Sequence, residues 1–249
     1  LETQEDDTER ADLTGKLLQL GGLYRRQNDY DRAEKLFEEV LEYEPENRDA
    51  IEGLEELNRA RGDYDSVVDY LARQLSLIED TEKSIALKRE IAETYYFELD
   101  DPDSALDYFE ELVAEDIETS SDVVETLERL QEIDEYTRRA SELLEPIYRN
   151  QQDSAGLAET FEARLETLSE DTERIELLRK LIELYRHELE DSTRAFELAT
   201  EWFELDSDNS EVWQLLEDIG ASLSRLEEVE SRFDEAISEE SPTETDLEL

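Results

Sequence analysis

Apolar residues recur along most of this chain with the period of an α-helix. In one segment the apolar positions are Ala33, Leu36, Phe37, Val40 and Leu41. They follow the spacing i, i+3, i+4, i+7 and i+8, which places all of them on one face of a helix. The same period begins near Leu13 and continues to about Ile237. Each such face must be buried against another helix, so the pattern predicts helices packed on one another.

The pattern and its interruptions predict thirteen helices, over residues 8–27, 30–43, 47–61, 64–78, 81–99, 102–115, 119–133, 135–150, 154–168, 172–190, 192–205, 209–222 and 225–238. Short connections predict that successive helices fold back antiparallel. With 7 glycines and 4 prolines among 249 residues, the chain has too few turn residues for a β protein, so the predicted fold class is all-α. Residues 1–10 and 239–249 lack an apolar stripe. We expect a flexible acidic lead-in and a disordered acidic tail there, on either side of a helical domain over 11–238.

Eight positions between residues 14 and 47 carry the residue types of a known repeat: Leu17, Leu20, Gly21, Tyr24, Ala33, Phe37, Val40 and Pro45. On these residues the segment resembles a tetratricopeptide repeat, which is a pair of antiparallel helices. Small residues at Gly21 and Ala33 would let two helices approach closely, beside large rings that fill the adjoining space. Later units keep the apolar positions and lose other details, since Glu55 and Asn58 replace the small residue and the tyrosine. The resemblance implies a right-handed superhelical α-solenoid of about thirteen helices.

A longer duplication is superimposed on the repeats. The segment 79–83 reappears at 170–174, and the two helices that follow also correspond. The matched pairs are Arg89 with Arg179, Tyr95 with Tyr185, Leu99 with Leu189, Asp101 with Asp191 and Ala105 with Ala195. They predict two copies of one block, over about 65–153 and 154–240, which should superpose helix by helix.

Each copy holds five helices. In an array of helix pairs, an odd number means that a helix on the inner side in one copy would correspond to a helix on the outer side in the other. One helix must therefore change its role, and we assign this to 135–150. Pro146 lies inside that helix, and proline removes one backbone hydrogen bond. We predict a break within 134–153, with the helix kinked at Pro146 or beginning one turn before it.

The candidate chemistry in this chain is sparse. His187 is the only histidine, and no glycine-rich phosphate loop occurs, so we expect no enzyme and no cofactor. Asp206, Asp208, Ser210 and Glu217 have part of the spacing of a calcium loop, but position 6 is Glu211 instead of glycine. We therefore expect no metal site and no small-molecule substrate. Trp202 and Trp213 lie on apolar faces, which favours core packing over an exposed anchor.

The resemblance implies a protein-interaction scaffold in which the first helix of each pair lines a concave groove. The inward positions would be Leu18, Gly22, Arg25, Arg26 and Asn47 in the first repeat, and Glu52, Glu56 and Arg59 in the second. We take Leu18, Arg25, Arg26, Asn47 and Arg59 as the candidate partner-binding residues. The arginines could hold an acidic peptide or a C-terminal carboxylate, or they could pair with neighbouring carboxylates. The alternative function is a structural spacer or assembly subunit within a longer repeat array.

The charge limits the possible partners and the environment. The chain has 74 acidic and 25 basic side chains, with a net charge of -49. A surface of this charge repels phosphate, so we expect a protein or peptide partner, no nucleic acid and no membrane insertion. Only five of the basic residues are lysines. The acidity either keeps the protein soluble or indicates a high-salt habitat.

The compartment is left open by the composition. No cysteine is present, which excludes disulfides without fixing the redox environment. We favour a cytoplasmic location over a periplasmic or exported one. The chain begins at Leu1 and contains no methionine, which is typical of a processed form or of a piece of a longer protein.

We expect the melting temperature to be higher in about 2 M KCl than in about 20 mM KCl, because salt shortens the range of repulsion between exposed charges from tens of ångströms to a few. Differential scanning calorimetry at the two salt concentrations measures this. Equal melting temperatures would contradict the interpretation of the net charge as a liability that salt screens.

Overall fold

A computed structural model describes residues 2–115 and 120–240 of the chain, with the side chains described from Arg10 to Ile237 apart from 116–119. In these parts it has no strand and thirteen α-helices: α1 Glu2–Arg26, α2 Tyr30–Tyr43, α3 Arg48–Arg61, α4 Tyr64–Ser76, α5 Thr81–Phe97, α6 Pro102–Glu115, α7 Ser121–Gln131, α8 Thr137–Gln151, α9 Ser154–Thr167, α10 Asp171–His187, α11 Ser192–Leu205, α12 Ser210–Leu223 and α13 Leu226–Glu240. The all-α prediction is confirmed. Apart from the start of α1, every helix begins and ends within three residues of its predicted bounds.

The two polar ends of the chain differ from the sequence prediction where the structure describes them. Helix α1 begins at Glu2, whereas residues 1–10 were expected to form a flexible lead-in. Glutamate and glutamine are good helix formers, and acidic residues favour the N-terminal end of a helix dipole. A helix can therefore extend beyond its apolar stripe. Helix α13 continues to Glu240, and the rest of the predicted tail, 241–249, lies outside the described residues.

The chain divides into two compact units, Leu1–Thr119 and Ser120–Leu249. We call them unit 1 and unit 2. Unit 1 consists of three helix pairs, in which α1 packs on α2, α3 on α4 and α5 on α6. Helices α2 and α3, α4 and α5, and also α1 and α3 are in contact. The boundary between the units falls inside the first copy of the duplicated block.

The core of the first two pairs in unit 1 is built around one aromatic ring. Phe37 of α2 is 3% exposed and lies in a buried cluster with Ala33, Val40, Ala50, Leu54 and Leu57. A Cβ atom added at Gly21 of α1 would lie 2.8 Å from the Phe37 ring, and one added at Gly53 of α3 would lie 2.7 Å from it. Both distances are too short for a real Cβ atom. The ring therefore packs directly on the backbones of two helices, as the small residue at Gly21 predicts.

The duplicated sequence forms the same turn in both units. The N–H groups of Leu99 and Asp101 donate to the carbonyl groups of residues 94 and 95 at 3.2 and 2.9 Å. The corresponding bonds of Leu189 and Asp191 are 3.0 and 2.8 Å. In each copy, one residue with a left-handed backbone lies between the two N–H donors. It is Asp100 in unit 1, with φ 51°, and Glu190 in unit 2, with φ 55°. The helices α4 to α8 are matched in order by α9 to α13. Superposition of the two copies remains a prediction.

Unit 2 contains the helix with the internal proline. Helix α8 runs without interruption from Thr137 to Gln151 and includes Pro146. The alternative that it begins one turn before Pro146 is therefore wrong, and the alternative of a kink at Pro146 remains a prediction. The backbone hydrogen bond that proline removes is offset by burial on both sides, since Leu144 and Ile147 are 0% exposed. Helix α8 packs on both α7 and α9. The change of role that the odd helix count assigned to it remains a prediction.

Of the two tryptophans of unit 2, one is buried in the core and the other packs against an aromatic ring. Trp202 is 1% exposed, so the prediction of core packing is confirmed for it. Trp213 is half-buried and its ring stacks on that of Phe233, with centroids 4.0 Å apart. The possible calcium loop is a helix start instead, because Asn209 accepts a hydrogen bond from the backbone N–H of Glu211 at 3.0 Å.

Two adjacent glycines of α1 allow the Phe37 packing to be tested. Gly21→Ala should lower the free energy of unfolding by about 1–3 kcal/mol, because its methyl group would overlap the Phe37 ring. Gly22→Ala should raise it by about 0.5–1 kcal/mol, since no atom lies within 4 Å of a Cβ there and alanine favours a helix. Urea unfolding of both variants measures the difference. Equal effects would contradict the assigned packing.

Candidate partner-binding grooves

Unit 1 has an open depression between α1 and α3, which we call the α1–α3 groove. Its volume is about 360 Å³, and it is lined by Leu18, Gln19, Gly22, Arg25, Phe37, Asp49, Glu52, Gly53 and Glu56. Phe37 of α2 forms the floor. Gly22 and Gly53, at two of the lining positions, add no side chains to the groove. The groove therefore has an apolar base and a polar rim.

The structure brings five of the inward positions predicted from the sequence together. Leu18, Gly22, Arg25, Glu52 and Glu56 all line the α1–α3 groove. This agreement has a simple cause, because the repeat register determines which side of each first helix faces away from the second helix.

The other candidate residues lie elsewhere. Arg59 lines a second groove, described below. Asn47 is the N-cap of α3, where its Oδ1 accepts a hydrogen bond from the N–H of Ala50 at 3.1 Å and its Nδ2 donates to Glu44 at 2.6 Å. Arg26 is exposed in the last turn of α1.

Two of the three candidate arginines form ion pairs between helices. Arg25 of α1 pairs with Glu56 of α3 across the α1–α3 groove. Arg59 of α3 lies 2.7 Å from Glu55 on its own helix and 2.6 Å from Glu90 on α5. This arrangement favours the second of the two sequence interpretations, in which the arginines pair with neighbouring carboxylates. The groove keeps more negative than positive side chains, since Arg25 stands against three carboxylates.

A second depression, the α3–α5 groove, follows along the same unit. Its volume is about 430 Å³, and it is lined by Arg59, Ala86, Arg89, Glu90, Glu93, Thr94, Phe97 and Glu98. Phe97 is 56% exposed, which is unusual for so large an apolar side chain. Its ring meets that of Tyr96 edge to face, with centroids 4.8 Å apart. Phe97 was not among the candidate residues predicted from the sequence. Comparison of its position with His187 in the duplicated block would have identified it.

Glu55 of α3 is a buried carboxyl group, 7% exposed. It occupies the position at which the first repeat has Gly21. Burial raises the pKa of the Glu55 carboxyl, while the hydrogen bond and the charge of Arg59 act in the opposite direction. The buried carboxylate is compensated by Arg59, which also pairs with Glu90 of α5.

Unit 2 has neighbouring depressions between α7 and α9, where charged lining residues are all acidic. These residues are Glu128, Glu132, Asp134, Glu159 and Glu166. Tyr148 of α8 lies at the base, and a Cβ atom at Gly156 would be 2.6 Å from its ring. The Tyr148 hydroxyl donates to Glu128. Burial, followed by this hydrogen bond, raises the pKa of the hydroxyl, so it remains a donor at neutral pH.

Neither a metal site nor a membrane span is identified within the described parts of the chain. Among residues 2–115 and 120–240, no three or more His, Cys, Asp or Glu side chains are grouped so that they could hold a metal ion. None of the helices described there is long and apolar enough to cross a membrane.

Comparison with known proteins identifies the first repeat. The tetratricopeptide repeat family matches residues 16–47. A tetratricopeptide repeat protein from Parabacteroides merdae has 17% identity and a TM-score of 0.38, over 95% of this chain and 97% of that one. The TPR2AB domain of yeast Sti1, solved in a complex with pHSP90, has 12% identity and a TM-score of 0.39, over 88% and 87% of the two chains. No curated protein sequence matches at a significant level.

The family match and the geometry agree on the class of protein. Residues 16–47 include Gly21 and Phe37, which make the close helix contact described above. The architecture is that of an all-α helical repeat protein. The resemblance to the tetratricopeptide repeat family is confirmed, with the family match lying on residues 16–47.

The raised pKa of Glu55 predicts a pH dependence. A carboxyl whose pKa is higher in the folded state binds a proton on folding, so its contribution to stability falls as pH rises toward neutral. Glu55→Gln removes this charge and keeps an oxygen that accepts from Arg59. We expect Glu55→Gln to gain stability relative to the wild type as pH is raised from about 5 to about 7.

Urea unfolding at the two pH values measures this difference. Glu42→Gln, at an exposed position of α2, removes one charge without burial and is the matched control. If the stability of Glu55→Gln relative to the wild type falls as the pH is raised, the assignment of a raised pKa to Glu55 is wrong.

Proposed function

We propose that this protein is a non-enzymatic interaction scaffold in which the α1–α3 groove receives a segment of a protein partner. Tetratricopeptide repeats are in general protein-interaction modules without enzymatic activity, and their stacked helices provide extended binding surfaces. The observation that carries the proposal is the open depression between α1 and α3. The side chains of Leu18 and Arg25 border it, and Gly22 adds no side chain to it.

The contacts around the groove support this proposal. The helices that frame it are fixed from below by the Phe37 ring, so the site is formed before a partner arrives. A preformed groove reduces the ordering cost of binding. An apolar side chain of a partner could contact Leu18 and the floor, while polar groups of the partner meet the rim.

The experiment fills the groove without disturbing the core. Gly22→Phe places a ring in the open space, because nothing lies within 4 Å of a Cβ at this position. We expect peptides selected on the wild-type protein from a random display library to bind Gly22→Phe at least about tenfold more weakly, which corresponds to roughly 1.4 kcal/mol. Fluorescence anisotropy with labelled synthetic peptides gives the dissociation constants.

Gly15→Phe is the matched control for this substitution. Gly15 lies on α1 two turns before Gly22, also has no atom within 4 Å of a Cβ, and does not line the groove. The proposal requires that Gly15→Phe binds the peptides as the wild type does. If no peptide is enriched, or if both variants bind equally, the α1–α3 groove is not the site.

One observation favours the alternative of an assembly subunit. Leu13, Leu20 and Leu23 on α1 are 41%, 41% and 47% exposed. Their spacing places them along one side of the helix, where another helical element could pack. Sedimentation equilibrium in high salt distinguishes this function. Self-association that Leu20→Glu abolishes would favour the assembly subunit, and a monomer at all concentrations would speak against it.

A further inference from the structure

The last turn of α5 differs chemically from its duplicate although both adopt the same backbone. In unit 1 this turn carries Tyr96 and Phe97, and in unit 2 the corresponding residues of α10 are Arg186 and His187. The hydrogen bonds of the turns that follow agree within 0.2 Å, at 3.2 and 3.0 Å for one bond and 2.9 and 2.8 Å for the other. An exposed phenylalanine is therefore not required to form this turn.

The difference removes positive charge from a helix terminus that favours it. The carbonyl groups at the C-terminal end of a helix carry a partial negative charge, which cations in the last turn stabilise. Helix α10 has Arg186 and His187 there, whereas α5 has no basic residue in its last turn. The residue that follows is a glutamate in both copies, Glu98 after α5 and Glu188 after α10, so only α10 has basic side chains beside this negative charge. The end of α5 is thus negative, and it presents two aromatic rings instead of two basic side chains.

Aromatic rings beside carboxylates form a binding site for a cation. A guanidinium group is attracted to the face of a ring and can at the same time pair with a carboxylate. This chain uses such contacts internally, since Arg225 lies 4.2 Å from the ring centroid of Phe196 and Arg179 lies 4.5 Å from that of Trp202. Phe97, being 56% exposed, offers ring surface to a group from outside the chain.

We propose that the α3–α5 groove binds an arginine side chain of the partner polypeptide, with its guanidinium group on the Phe97 ring at the C-terminal end of α5. This inference rests on the proposed function as an interaction scaffold and specifies the chemistry of the partner. The charged groups that line the groove are the guanidinium groups of Arg59 and Arg89 and three carboxylates, of Glu90, Glu93 and Glu98. Arg59 is already held by Glu55 and Glu90, and Arg89 lies 4.0 Å from Glu93. The lining has one more carboxylate than guanidinium group, and this negative charge, with Glu98 next to Phe97, complements a cationic partner segment.

The test uses a labelled peptide of alternating glycine and arginine and the same peptide with neutral citrulline in place of arginine. Binding to the full chain is measured by fluorescence anisotropy in about 0.5 M KCl, which screens long-range attraction to the net charge. We expect Phe97→Ala to weaken binding of the arginine peptide about fivefold, in line with the loss of one cation–π contact. The variant leaves the charge of the chain unchanged.

Two further variants control this measurement. Ile133→Ala removes a comparably exposed apolar side chain (42% exposed) in unit 2 and should bind as the wild type does. The double variant Tyr96→Arg/Phe97→His introduces the residues of α10, which are compatible with this turn. It should lose binding of the arginine peptide, and its melting temperature should stay close to that of the wild type even if Phe97→Ala unfolds more easily.

The outcomes separate this inference from the proposed function. Equal binding by Phe97→Ala, Ile133→Ala and the wild type would overturn the inference, because the peptide would then respond to net charge alone. Equal binding of the arginine and citrulline peptides would also overturn it. If the wild type binds neither peptide but binds display-selected peptides that Gly22→Phe rejects, the scaffold function stands and the assignment of Phe97 fails.

Discussion

The contact between the Phe37 ring and two glycines is the constraint on which the first repeats depend. Because the ring lies against the backbones at Gly21 on α1 and Gly53 on α3, no larger residue fits at either position without a shift of the helices or of the ring. The ring therefore sets the separation of α1 and α3. That separation is also the width of the α1–α3 groove, whose floor is the same ring. The same contacts therefore determine both the core packing and the shape of the groove. A substitution that changes the position of the Phe37 ring also changes the groove.

The scarcity of basic side chains is the second constraint. With 25 of them against 74 acidic ones, many of the cations are placed where two helices meet. Lys88 of α5 lies 2.8 and 2.6 Å from Glu111 and Glu115 of α6, and Arg61 of α3 contacts two carboxylates of α2. An exposed ion pair adds only about 0–1 kcal/mol, but each of these also replaces a repulsive contact between carboxylates. Arginines engaged in this way are poorly available to an acidic partner, which is why a cationic partner fits the surface better.

Periodic features of this protein could be predicted from its sequence, and features that depend on contacts between helices could not. The helices followed from their apolar stripes, and the inward positions Leu18, Gly22 and Arg25 followed from the repeat register. The pairing of Arg25 with Glu56 could not be predicted, because it depends on side-chain conformations across two helices. One of the two alternatives for α8, a start one turn before Pro146, was wrong because the burial of Leu144 and Ile147 outweighs one lost hydrogen bond. The start of α1 was missed because an apolar stripe marks where a helix is buried and not where it begins.

The two copies of the duplicated block separate the residues that the fold requires from those that it does not. Leu99, Asp101 and Ala105 are identical in both copies, and they form or directly follow the turn whose hydrogen bonds are the same. The last turn of the preceding helix accepts either two aromatic side chains or two basic ones, so folding does not determine these positions. An aromatic ring that stays exposed is costly to solvate, and the fold gains nothing from it that a histidine does not supply. The exposed ring of Phe97 is therefore consistent with the proposal that a group of the partner covers it, and the negative helix end beside it favours a cation as that group.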